Sequence, residues 1–376
     1  MTSSTSQPEW IDVARSDDRR DVIHRAVACL AQGGLVGLPT ETVYGVAGSV
    51  LHPKAIARLR EIKATDDPVA LSLLLKGAFE VSDWVPHISQ VGQRLARRGW
   101  PGPLTLVFPG CDTEGLASRF PENVRALLFP DGALALRAPA HSMVREILRL
   151  LPAPIVMVRG TGPNGQPARE ASELSPSLGL SMLLDDGPTR FGQLSTVVSI
   201  RNQGYQVLRA GAVKPQTLSR MAGMILLFVC TGNTCRSPMA EALCKVHLAK
   251  RLNCTIDELE RKGYVVLSAG IATSNGMPAA AHALNVVNER GGSLVHHASQ
   301  QLTAELLRHA DYIVAMTNDH REALLSQLPD CTSKTRLLHP QGDDVADPVG
   351  CDRETYSRTA SMIESYLTRL LDDLGL

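Results

Sequence analysis

Apolar and polar positions fall in blocks along this chain, and the blocks sort into two successive runs of strand and helix. Residues 1–16 are polar, without periodicity, and are expected to be mobile. The cluster Ser16-Asp17-Asp18 offers N-caps for a first helix that Gly33-Gly34 ends. The apolar run Leu35 to Leu38 then reads as a buried strand closed by Pro39. Further strands are expected over Val69 to Leu75, Leu104 to Phe108, Ala133 to Arg137, Pro154 to Val158, Ser195 to Ile200 and Tyr205 to Arg209. Helical segments lie between several of them, as over Pro53 to Lys63, with proline at an early helical position. This mixture describes an α/β domain over residues 10–212.

The stretch 213–222 has no long periodic pattern and reads as a linker. Directly after it, Met224 to Val229 is wholly apolar and opens a second domain, residues 223–376. Its order is regular. A helix with Met239, Leu243 and Val246 on one face follows, then a strand over 264–268 and helices within 279–290 and 302–309. A strand over 312–316, a helix near 319–327, the short strand Arg336-Leu337-Leu338 and a last helix from Arg353 to Leu371 complete it. Strand alternating with helix predicts a parallel sheet covered on both faces, with its ligand at the carboxyl ends of the strands.

Composition narrows the possibilities. A chain of 376 residues with 44% hydrophobic and 20% charged side chains suits two globular domains rather than disorder. Thirty-eight basic and thirty-eight acidic residues cancel, so no net field favours nucleic acid or anionic lipid, and direct nucleic-acid binding is not indicated. The apolar runs are too short to span a bilayer, and the N-terminus lacks a basic region followed by an apolar one. Eight scattered cysteines form neither a disulfide framework nor a zinc pattern, and a reducing cytoplasm is the expected location.

The most chemistry lies in Cys230-Thr231-Gly232-Asn233-Thr234-Cys235-Arg236-Ser237-Pro238, between a strand and a helix. There, backbone amides and the helix dipole converge on an anion. Gly232 is expected to supply a positive φ that turns the amides inward, and Pro238 suits a first helical turn. Cys230 stands at the mouth of this nest, which favours its thiolate. Arg236 can grip two phosphoryl oxygens, and Ser237 can donate to the thiolate as it leaves. Thiolate, oxyanion cradle and fixed cation together make a covalent phosphoryl-transfer site.

Val229 to Leu243 resembles the low-molecular-weight protein tyrosine phosphatases and their bacterial protein-arginine-phosphatase branch, with Ser268-Ala269-Gly270, Asp311 to His320 and Asp344 to Gly350 matching in order. The resemblance implies a flavodoxin-like four-stranded parallel sheet, no metal or other cofactor, a cysteinyl-phosphate intermediate and a phosphorylated protein as substrate. It also implies a general acid, an aspartate before proline, which here is Asp347; Asp343 and Asp344 are its nearby competitors. Phosphate-binding positions would be Thr231, Gly232, Asn233, Thr234 and Cys235. Tyrosine-directed members usually carry a branched aliphatic residue at Thr234, whereas the arginine-directed branch has threonine. Neither Ile271 to Gly276 nor Val349 supplies a ring for a phenol, so phosphoarginine is the expected substrate and phosphotyrosine the alternative. Cys235 could trap Cys230 as a reversible disulfide or simply pack.

In the first domain, Pro39 to Val46, Trp100 to Val107, Leu134 to Pro139, Ser195 to Val198 and Leu208 to Ala212 resemble the threonylcarbamoyl-AMP synthase family. That implies a twisted α/β fold and a pocket with Thr40, Tyr44, Lys63, Arg137, Ser195 and Arg209, open to ATP, another nucleotide or threonine. Two ligand motifs depart from the pattern. Where the family has lysine-any-arginine, this chain has Lys63-Ala64-Thr65-Asp66-Asp67, and where it has serine-any-asparagine, this chain has Arg159-Gly160-Thr161. The added acids oppose a triphosphate, so the synthase is expected to be impaired, with an active synthase carrying an accessory phosphatase as the rival reading.

Overall fold

A computed structural model gives the structure and describes residues 7–69, 71–202 and 204–376. Contacts divide the chain into Met1–Met221 and Ala222–Leu376, each built round its own sheet. No helix among the described residues is long and apolar enough to cross a membrane.

The first unit holds ten strands: β1 (Glu9–Asp12), β2 (Val36–Leu38), β3 (Gly45–Ser49), β4 (Ser72–Leu74), β5 (Leu104–Pro109), β6 (Ala133–Arg137), β7 (Ile155–Arg159), β8 (Met182–Asp185), β9 (Thr196–Arg201) and β10 (Gly204–Arg209). They form one mixed sheet in the order β1-β8-β2-β3-β7-β4-β6-β5-β9-β10. Its helices are α1 (Arg19–Ala31), α2 (Pro53–Ile62), α3 (Val81–Trp84), α4 (Gln90–Gly99), α5 (Glu122–Leu128), α6 (Ser142–Leu150) and α7 (Pro215–Ala222). Asp18 caps α1 by accepting from the amides of Arg20 and Asp21, at 2.8 and 3.3 Å, as the acidic cluster predicts.

Three expectations need correction. The polar N-terminus is not uniformly without structure: β1 pairs in parallel with β8 along the sheet edge, while residues 1–6 lie outside the described part. Backbone pairing places that strand, and an edge strand needs only one side chain in the core, here Ile11. β3 and β8 were not anticipated: Gly45-Val46-Ala47-Gly48-Ser49 lacks large apolar residues although all five are buried, and Met182–Asp185 is too short a run to stand out. The stretch read as a linker, 213–222, is helical over Pro215–Ala222, with Leu218 buried and Ser219 Oγ 3.3 Å from the Tyr205 hydroxyl.

The second unit follows the predicted alternation. Strands β11 (Met224–Cys230), β12 (Tyr264–Gly270), β13 (Tyr312–Ala315) and β14 (Thr335–Leu337) form an all-parallel sheet in the order β12-β11-β13-β14. Helices α8 (Arg236–Arg251), α9 (Ala281–Asn288), α10 (Ala304–His309) and α11 (Asn318–Gln327) lie in the crossovers, and α12 (Arg353–Asp373) follows the last strand. Side chains of β11 alternate between two cores. Leu226 and Phe228 pack with Met239 and Leu243 of α8 and Ile363 and Leu367 of α12. Leu227 and Val229 pack with Leu307 of α10 and Leu324 of α11. Each such fully buried side chain contributes about 1.5–3 kcal/mol, so β11 is pinned from both faces. The sheet extends to opposite sides of β11, through β12 and then β13, so the topological switch point lies at its carboxyl end. Cys230 is the last residue of that strand.

Candidate active site

The turn after β11 must leave the sheet and enter α8 within five residues, and a left-handed backbone makes this possible. That residue is Asn233, with φ +51°, and not Gly232 as the sequence suggests. Asparagine tolerates this region when its side chain is bonded locally, and here it is held on every side. Its Oδ1 accepts from the Gln300 amide at 2.9 Å, and its Nδ2 donates to Ser237 Oγ at 2.9 Å and Ser268 Oγ at 2.8 Å. Ser268 in turn donates to Glu241 at 2.6 Å, and the Asn233 carbonyl lies 2.8 Å from His297 Nε2. Gly270, the β12 partner of Cys230, is glycine for a separate reason: a Cβ there would stand 2.7 Å from the Thr231 carbonyl oxygen.

This scaffold aims two groups at the nucleophile candidate. Cys230 Sγ lies 3.0 Å from Ser237 Oγ, and the Asn233 amide donates to it at 3.3 Å. Ser237 Oγ accepts from Asn233 Nδ2 and lies 3.4 Å from the Ala269 carbonyl, so its proton is shared between that more distant oxygen and the sulfur at 3.0 Å. Cys244, on α8 about two turns beyond Ser237, is fully buried, and burial pushes its thiol up to about 12. Position in the loop, rather than residue type, separates the reactive candidate from the inert cysteine.

Arg236 opens α8 and is buried. One end of its guanidinium donates to the Val345 carbonyl at 3.1 Å, and the other to Asp347 Oδ2 at 2.5 Å. Asp347 is half-exposed and accepts the Val349 amide on its other oxygen at 3.2 Å. The competing acids have other occupations: Asp344 accepts from the Asn318 amide at 2.7 Å, and Asp343 faces His339 at 3.8 Å. Of the three, Asp347 alone lies against Arg236.

Thr234 is part-buried at the loop's midpoint, and Cys235, a free thiol, lies 3.1 Å from the Tyr356 hydroxyl. Burial and that neighbouring thiol push the Tyr356 phenol above its usual range. His320, Gln300, His297 and Glu241 also serve the site, although no motif in the sequence marks their roles. His320 and Gly270 fell inside matched strings, but spacing alone does not reveal which side chains meet across the sheet. Thr231 Oγ1 lies 2.8 Å from His320 Nε2, and Thr317 Oγ1 lies 2.6 Å from His320 Nδ1.

In the first unit, Tyr44, Lys63, Arg137, Ser195 and Arg209 line one cavity, as expected, together with Asp67 and Arg159. Thr40 does not line it. Its hydroxyl bonds to the Val43 carbonyl at 2.6 Å and to Thr42 Oγ1 at 2.8 Å, fixing the turn ahead of Tyr44. The cavity encloses ≈ 40 Å³, room for water rather than a nucleotide. Its three arginines are matched by acids, whereas Lys63 Nζ donates to the Ala64 carbonyl at 3.3 Å. Arg137 bonds Glu41 at 2.8 Å, Arg159 bonds Asp66, and Arg209 lies 3.0 Å from Asp67 while donating to Ser195 Oγ at 3.2 Å. Burial alone would raise the Glu41 carboxyl, but Arg137 beside it holds it below the usual value. Arg159 hydrogen-bonds Asp66 and lowers that carboxyl also.

Residues 225–375 match the low molecular weight phosphotyrosine protein phosphatase family, and residues 28–211 match the Sua5/yciO/yrdC family, described under telomere recombination. A protein-arginine-phosphatase of Geobacillus stearothermophilus is 34% identical over 153 residues, 40% of this chain and 95% of its own length. A probable low molecular weight protein-tyrosine-phosphatase of Ralstonia nicotianae is 34% identical over 140 residues, 37% of this chain and 88% of its own. A threonylcarbamoyl-AMP synthase of Pyrococcus abyssi is 29% identical over 208 residues, 54% of this chain; the chain spans 58% of that relative.

Proposed function

From the premise that the chain belongs to the low molecular weight phosphotyrosine protein phosphatase family through residues 225–375, joined to a Sua5/yciO/yrdC domain, we propose that it hydrolyses phosphoarginine in proteins. The observation that carries the chemistry is Cys230 Sγ set between the Ser237 hydroxyl and the Asn233 amide, beside the Arg236–Asp347 pair.

The steps follow from that geometry. A phosphoryl dianion competes with Asp347 for Arg236, which then grips two of its oxygens while loop amides hold the rest. Cys230 attacks phosphorus, an S–P bond forms and the P–N bond breaks. Asp347, released and protonated, gives its proton to the departing guanidine nitrogen. It then takes a proton from water as that water attacks the cysteinyl-phosphate. The S–P bond breaks, inorganic phosphate leaves, and the Ser237 hydroxyl stabilises the returning thiolate. No cofactor enters any step.

Thr234 supports phosphoarginine over phosphotyrosine, because a polar cleft suits a guanidinium better than a phenol. The exposed Val349 offers a phenol no ring, but it also departs from the aromatic that arginine-directed members often carry after the proline. The name of the Geobacillus relative agrees, whereas that of the Ralstonia relative keeps phosphotyrosine as the second reading. Steady-state kinetics on matched phosphopeptides decides between them: kcat/KM at least about tenfold higher for phosphoarginine is expected, and a phosphotyrosine preference of that size would reject the assignment.

For the first unit, the reading is an impaired synthase fold. Its three arginines are each neutralised by Glu41, Asp66 or Asp67, and the cavity is small. ATP, a smaller nucleotide and threonine remain the ligand classes to assay. Pyrophosphate release dependent on ATP, bicarbonate and threonine would establish the rival reading, a working synthase.

A further inference from the structure

His320 is a buried imidazole that the reaction sequence above leaves without a task. It stands on the first turn of α11, 7% exposed, and both ring nitrogens are engaged. Thr317 caps the helix: its Oγ1 accepts from the His320 amide at 3.2 Å and lies 2.6 Å from His320 Nδ1. With one lone pair given to that amide, the threonine hydroxyl satisfies its own proton by donating it to Nδ1. Nδ1 is then an acceptor, so the neutral ring carries its proton on Nε2 and donates it to Thr231 Oγ1 at 2.8 Å. The charged groups facing the ring are Arg236 from α8, Asp347 and Asp344 from the loop after β14, and Asp319 from α11 itself. Burial first, and then Arg236, hold the imidazole below the usual histidine range, which agrees with a neutral ring.

The consequence appears at Thr231, the residue after the nucleophile, which is exposed. With one lone pair occupied by Nε2–H, its hydroxyl has one proton to donate and one lone pair left to accept. We propose that His320 is a specificity-positioning residue: through a fixed tautomer it sets the Thr231 hydroxyl to read a phosphoryl oxygen and the adjacent guanidinium N–H of phosphoarginine together. A phenyl phosphate offers the oxygen but no N–H, so the lone pair finds no donor there. A site that pairs a substrate N–H discriminates against an analogue lacking it, since the pairing atom is otherwise left unmatched. This inference rests on the phosphoarginine reading.

The test is a double-mutant cycle on the full chain, with Thr231→Val, His320→Ala and the double variant, assayed on a phosphoarginine peptide and on p-nitrophenyl phosphate. Each single variant should lower kcat/KM on both substrates, because the phosphoryl contact is lost, but about tenfold more on phosphoarginine than on p-nitrophenyl phosphate. The double variant should fall no further than the singles, and His320→Gln, which keeps a donor near Nε2, should recover part of the loss. Multiplying losses in the double variant, or equal losses on both substrates, overturn the proposal. If alanine at 320 prevents folding, Thr231→Val carries the same substrate comparison with the imidazole in place, and an unchanged preference overturns it. A wild-type preference for phosphotyrosine instead overturns the parent reading, and that outcome is visible before any variant is made.

Discussion

Two sets of arginines, one in each unit, show how a shared residue type can be poised or spent. In the phosphatase unit, Arg236 is buried, anchored at one end by the Val345 carbonyl, and paired at the other with the half-exposed Asp347. In the proposed mechanism that acid gives way to a phosphoryl group, and its release puts a proton carrier beside the leaving group. In the first unit, Arg137, Arg159 and Arg209 face a cavity, yet each is matched by Glu41, Asp66 or Asp67. Glu41 is itself buried, and breaking such a pair leaves an uncompensated charge. A cation serves an incoming phosphate when its resident partner is displaceable and useful elsewhere.

The contrast can be broken or sharpened by substitution, beginning with the largest effect. Cys230→Ser should reduce turnover by at least about 10⁴-fold with phosphate binding retained, read by single-turnover assay and calorimetry. Asp347→Asn should lower kcat by about 10²–10³-fold, while inorganic phosphate binds as well or better because Arg236 loses its competing carboxylate. Weaker phosphate binding in that variant would contradict the displacement step. Asp66→Asn with Asp67→Asn should free Arg159 and Arg209 and raise the first unit's affinity for a nucleotide triphosphate about tenfold, measured by titration. Gly270→Ala forces a methyl group against the Thr231 carbonyl and should destabilise the second unit by about 1–3 kcal/mol, visible as a lower Tm.

The smallest effect concerns pH. The fold favours neutral His320, so its folded value lies below that of the unfolded chain. Its contribution is complete above the ordinary histidine range and declines as pH falls through that range, where the unfolded chain takes up the proton first. The difference in Tm between wild type and His320→Gln should therefore narrow on acidification, and a constant difference would exclude this linkage.

Much of the second unit could be read from its sequence, because β11, β12 and β13 are built on short apolar runs and α8 and α12 bury one apolar face. Met224 to Val229 and the loop to Pro238 identify strand, cradle and helix together. The left-handed residue was misplaced, since Gly232 carries the intrinsic permission while Asn233 carries the bonds that stabilise φ +51°. Those bonds come from Ser268 and Gln300, which only the parallel pairing of β11 with β12 and the segment after α9 bring within reach. In the first unit β1, β3 and β8 were not anticipated: backbone pairing places β1, small buried residues make up β3, and β8 is a run of only three apolar residues. The pocket residues were legible singly; that Asp66 and Asp67 each find an arginine required the fold.

The central claim is that phosphate passes through a covalent bond to Cys230. Rapid quench of Asp347→Ala mixed with a phosphoarginine peptide, followed by mass spectrometry at a pH that preserves thiophosphate esters, tests it most directly. The account predicts a phosphorylated adduct on the peptide containing Cys230, absent in Cys230→Ser. Phosphate on another residue, or turnover with no adduct at any quench time, would contradict it.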